Sequence, residues 1–143
     1  MPIAYEYDLD NHALLVSGWD HVTLGDAINY YNELAHMPTR LEGCVEYLDF
    51  SEVTRFHVCE NGALQLASIY EKVLDRGISG VVIHATSEEV RSVVEMLAFT
   101  FSEVCGGFQE GYRIARQPVL PRELQAFLRG GSDVGPVPAV KVA

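Results

Sequence analysis

Apolar and smaller or polar side chains alternate from Ile3 to Asp8, which places Ile3, Tyr5 and Tyr7 on one face of a strand. A turn at Asp10-Asn11 leads to a second β-type run, Ala13 to Ser17, which Gly18 ends and Trp19 follows. The two runs predict an antiparallel hairpin. The period then changes. Leu24, Ala27, Ile28, Tyr31, Leu34 and Ala35 recur at helical spacing behind Thr23, a good N-cap, and Pro38 closes that helix. Cys44 to Phe50 reads as a third strand, leaving through a polar connection at Ser51 and Glu52. A second helix starts near Asn61, carries Ala63, Leu66, Ala67, Tyr70, Val73 and Leu74, and stops at Gly77.

The run Gly80 to Ala85 is short, continuous and β-branched, as a strand covered on both faces must be. Thr86 with Glu89 has capping-box spacing, and Val90, Val93, Val94, Leu97, Phe101 and Val104 make the clearest helical stripe, ended by Gly106-Gly107. Gly111 to Arg116 is a weaker strand. Pro121 opens a last helix that turns Leu124, Phe127 and Leu128 inward. The order predicts an α/β domain over residues 1–129: a mixed, mostly parallel sheet of about five strands with four helices and an N-terminal β-hairpin. From Gly130 the chain is rich in Gly and Pro without a period, so residues 130–143 are expected to form a flexible C-terminal tail.

Composition narrows the partners. Twenty acidic residues against ten basic ones give a net charge of −10, and the basic residues are scattered, so the chain repels phosphate backbones and nucleic acid is not an expected partner. No apolar run approaches the roughly 20 residues that cross a bilayer, and the N-terminus lacks a signal core. A soluble, cytoplasmic protein without a membrane span is the expectation. Cys44, Cys59 and Cys105 are odd in number and form no C-x-x-C pair, so they are expected to be reduced and at least partly buried.

Four segments resemble the STAS fold, specifically the SpoIIAA-like branch that neighbours the CRAL-TRIO lipid-binding proteins. YEYDLDNHALLVSGWDHVTLGDAINYYNEL resembles the opening hairpin and Thr-capped helix of that family, and LEGCVEYLDFSEV its third strand. RGISGVVIHATSEEVRSVVEMLAFTFSE resembles the fourth strand and third helix, and PRELQAFL the closing helix; the likeness covers about residues 3–129. In anti-sigma-factor antagonists of this fold a serine at the start of the second helix is phosphorylated to release a partner kinase. The matching stretch here is Cys59-Glu60-Asn61-Gly62, with no hydroxyl and a permanent charge at Glu60, so the resemblance implies partner binding without that switch.

In open α/β sheets ligands favour the crevice beyond the carboxyl ends of the strands, where helix N-termini converge. The third strand delivers Asp49, Ser51, Arg55, His57, Cys59 and Glu60 to that end, and the fourth delivers His84, Thr86 and Ser87. These residues are the candidate ligand- or partner-binding site. His57 and His84 could act as an acid and base near neutral pH, or bind a metal with Cys59 or Glu60, but their spacing fits no metal motif. The plainer reading has His84 hydrogen-bonded within the sheet, His57 in solvent, Asp49 as a turn or cap residue and Thr86 as an N-cap. Receiver-type chemistry at Asp49 lacks its acidic pair and lysine, and Cys59 with His57 lacks the geometry of a nucleophile and base. Neither a dinucleotide nor an ATP motif is present, so no cofactor, metal or catalytic residue is assigned.

Tyr30, Tyr31, Tyr70, Met96, Phe99 and Phe101 cannot all face one sheet, and Met96 and Phe99 lie off the main stripe, as a subunit contact, an apolar pocket or a broad core face would each explain. The leading expectation is a non-enzymatic regulatory module that binds a protein partner, a second copy of itself as a homodimer, or a small apolar ligand. Two alternatives stand beside it: a small enzyme using His57, His84 and Asp49, and a carrier of a small apolar or lipid-like molecule.

Overall fold

The computed structural model describes residues 2–106 and 111–130. Gly107 of the expected helix stop, and the expected tail beyond Gly130, lie outside the described residues. In chain order the elements are β1 (Ile3–Asp8), β2 (Ala13–Val22), α1 (Leu24–His36), β3 (Val45–Phe56), α2 (Glu60–Leu74), β4 (Gly80–His84), α3 (Glu88–Cys105), β5 (Tyr112–Ala115), a 3-10 turn at Pro121–Glu123, and α4 (Leu124–Leu128). The five strands lie in sequential order, with β1 antiparallel to β2 and every other neighbouring pair parallel. The α/β architecture, the opening hairpin and the inner place of β4 are as the pattern requires.

Sequential parallel strands joined by crossovers of one hand put every crossover helix on the same face. Accordingly Leu14, Val16, Leu48, Phe50, Val81 and Ile83 meet α1, α2 and α3 in one core. The alternate residues Ala13, Val45, Tyr47, Val82 and Ala115 meet Val119, Leu124 and Phe127 around α4 in a second. β4 is buried at every position because both layers cover it. α4 approaches closely enough that a Cβ on Gly80 would stand 2.7 Å from the Gly111 carbonyl oxygen and nearer still to Leu128. Only glycine fits there.

Several boundaries differ from the sequence reading, each for a local reason. β2 does not end at Gly18; it continues through Trp19 to Val22. β3 does not give way to a loop at Ser51 but runs to Phe56. Partners Ser17↔Asp49 and Trp19↔Glu52, then Asp20↔Val53 and His21↔Arg55, show that β3 carries an extra residue twice. Such bulges break the period of two, and they hide a strand that still turns Phe50, Val53 and Phe56 into the core. The cap of α3 is Ser87, whose hydroxyl accepts the Val90 N–H at 3.4 Å, and not Thr86, which is exposed. Cys59 is exposed instead of partly buried, because it caps α2, its Sγ accepting the Gly62 N–H at 3.4 Å.

Among the described residues one carboxyl lies buried in the helix-covered core. Glu46 falls between Val45 and Tyr47 and faces α1 and α2, fully buried. Tyr30 donates its hydroxyl to Oε2 at 2.5 Å, and Tyr70 donates to Oε1 at 3.2 Å. Burial raises the carboxyl from its ordinary 4.5 to about 7, and the two tyrosine bonds restrain the rise. Since the group holds its proton more tightly in the folded chain, its contribution to stability is full below about pH 4.5 and lost as the pH rises through about 7. We expect this group to lower the unfolding free energy by about 2 kcal/mol between roughly pH 5 and pH 8. Urea titrations across that range test it: Glu46→Gln flattens the slope, and a variant as steep as the wild type would assign the dependence elsewhere.

Candidate functional site

The pairing register builds a row across the carboxyl end of the sheet on the α4 face. Ser17 of β2 stands opposite Asp49 of β3, Asp49 opposite His84 of β4, and His84 opposite Ala115 of β5. Asp49 is therefore an interior strand residue, not the turn or cap at a strand end that the sequence suggested. Its Oδ1 receives the Ser51 N–H at 3.1 Å, the Ser51 hydroxyl at 2.7 Å and His84 Nδ1 at 3.2 Å. Partial burial pushes the Asp49 carboxyl upward, but the bonds from Ser51, and then the neighbouring His84, outweigh it and hold the group below its ordinary range. An ionised carboxylate only accepts, so His84 Nδ1 carries the hydrogen, and in the neutral ring Nε2 is then the lone-pair acceptor. His84 is 5% exposed, and its Nε2 is buried with no hydrogen-bond partner among the described residues.

The other predicted residues take different places. His57 lies past the end of β3, exposed, with Nε2 3.8 Å from Glu89 Oε2 in the first turn of α3. The sequence thus grouped His57 with His84, whereas their partners are separate: Glu89 for one, Asp49 for the other. Arg55 is exposed on the β2–β3 extension. Cys59 and Ser87 are helix caps, and Glu60 and Thr86 are exposed beside them. Asp49, Ser51 and His84 therefore form one bonded cluster, while His57, Cys59, Glu60, Thr86 and Ser87 mark the starts of α2 and α3. The start of α1 joins them, since a Cβ on Gly62 would touch Leu24 at 3.0 Å. Among the described residues no three of His, Cys, Asp and Glu are grouped to hold a metal ion. Nor is any helix there long and apolar enough to cross a membrane.

Sequence reasoning did not single out Glu46. The signal was present, because a glutamate inside Val45 to Phe50 shares its face with Leu48 and Phe50 by the period of two. Nor did it locate the cavity of about 50 Å³ between the sheet and α1–α3, walled by residues that include Tyr30, Tyr31, Tyr70, Phe101, Leu48 and Ile83. That space arises only where three helices meet one twisted sheet.

Compared with known families and with curated proteins, the chain matches no family model and no curated sequence.

The bonded cluster has a spectroscopic consequence. Neutral His84 is expected to carry its proton on Nδ1, and nitrogen-detected NMR of the imidazole reads that tautomer directly. Asp49→Ala removes the acceptor, so the Nδ1–H population is expected to fall; an unchanged spectrum would mean that Asp49 does not orient the ring.

Proposed function

We propose that the chain is a non-enzymatic regulatory or partner-binding module of the STAS/SpoIIAA-like type, docking through the sheet end where α1, α2 and α3 begin. The observation that carries this reading is the exposure of Cys59, Glu60 and Asn61 together at the start of α2, with His57 and Glu89 beside them. The same element order and the quoted segments support the family likeness. The helix starts are acidic, with Asp26, Glu60, Glu88 and Glu89 in first turns, and Glu52 and Asp20 are exposed on the adjoining extension. A partner presenting basic residues fits this charge, and such an encounter weakens as salt rises. Glu60 supplies constantly the negative charge that a phosphoserine would supply conditionally.

A second reading rests on one specific observation, the unpartnered Nε2 of His84. An imidazole oriented by a carboxylate, with its other nitrogen bare, is the form a general base takes. In that reading His84 is the base and Asp49 positions it, while His57 has no part.

Cys59 is a natural handle for the test. In a Cys105→Ser background, with Cys44 buried, a photo-activated crosslinker on Cys59 is expected to give one adduct with a protein from the producing cells, or with a second copy of the chain. Glu60→Lys is expected to abolish it and Glu71→Lys, near the far end of α2, to leave it. Absence of an adduct, or an adduct indifferent to Glu60→Lys, would overturn docking at this end. Native mass spectrometry of the same preparation distinguishes self-association from a different partner.

A further inference from the structure

We propose that the cavity between the sheet and α1–α3 is a binding site for a compact, uncharged and wholly apolar molecule. This goes beyond docking at the helix starts, and its failure would leave the Cys59 adduct untouched. The chemistry of the walls selects the class. Tyr30 and Tyr70 turn their hydroxyls to Glu46, so what they present to the space is ring carbon. Tyr31 stands 5.0 Å from Tyr70 and 6.4 Å from Phe101, centroid to centroid, and Tyr70 stacks on Phe101 at 5.1 Å. Leu48, Ile83, Val94 and Ala98 complete a lining of hydrocarbon.

Water finds little there to bond to, because the lining is almost wholly apolar. A void needs only about 10–15 Å³ to admit one water, but apolar voids of greater size stay dry and take apolar guests. The volume of about 50 Å³ sets the size of the guest. It is roughly a third of a cavity known to accept benzene, and far below the roughly 300–1,000 Å³ that encloses a drug-sized ligand. The occupant is therefore a molecule of a few heavy atoms. A long acyl chain does not fit while the helices are seated. Two alanines, Ala27 of α1 and Ala98 of α3, line the space, each the smallest buried side chain of its helix. Their small side chains are what keep it open.

Xenon is the probe. Methyl NMR of the full chain under xenon pressure is expected to show saturable shifts confined to methyls that line the space, those of Leu48, Leu66, Val81, Ile83 and Val94 among them. Ala98→Leu fills the space and is expected to weaken apparent xenon affinity by at least about tenfold. Ala27→Val, a gentler filling, serves if Ala98→Leu does not fold, and circular dichroism checks both. Shifts that never saturate, that scatter over the surface, or that persist unchanged in a folded filled variant would overturn the site. Saturation of the same methyls by decanol, a long-chain alcohol, would overturn the limit to compact, wholly apolar molecules.

Discussion

The carboxyl of Glu46 joins the central strand β3 to the two helices above it, and it does so where no water can replace either tyrosine. Removing a buried charge from solvent costs several kcal/mol unless hydrogen bonds compensate, so the position of α1 and of α2 is coupled to this one group. Tyr30 and Tyr70 cannot slide along the sheet without abandoning a buried acceptor. Their rings are thereby held against Tyr31, Phe101 and Tyr5, and an aromatic layer forms over the inner strands. Beneath that layer the lining includes the small side chains of Ala27 and Ala98, and the cavity stays open there.

The two faces of the sheet divide the chemistry. On the helix-covered face Glu46 is the one buried carboxyl among the described residues, and its surroundings favour the neutral form. On the α4 face Asp49 is held ionised by Ser51 and His84, near the edge of the cover. These carboxyls lie on the same strand, an odd number of residues apart, so the pleat alone sends them to opposite environments and opposite shifts. The extension of β2 and β3 beyond the end of β4 carries Arg55 and leads to His57, which separates those residues from the Asp49–His84 cluster.

Within the candidate site, proximity along the chain was a poor guide to proximity in space. Asp49 and His84 lie on neighbouring parallel strands, and a register that pairs them directly follows only once β3 and β4 are aligned. His57 follows Asp49 closely in sequence, yet the intervening strand carries it away, since an extended chain advances about 3.3 Å per residue. Cys59 and Ser87 could be read as polar residues near a crevice, but their local bonds show helix caps.

What the sequence determined by itself was the succession of elements: hydrophobic period distinguishes strand from helix, Thr23 and Pro38 bound α1, and the β-branched run from Gly80 requires cover on both faces. These are short-range effects, decided within a turn or a strand. The tertiary structure alone decided which polar residues share a partner, where β3 ends despite its two bulges, that Glu46 is enclosed by two tyrosines, and that a void remains between the layers. Each of those depends on register and on packing between segments far apart in the chain, which no local pattern encodes.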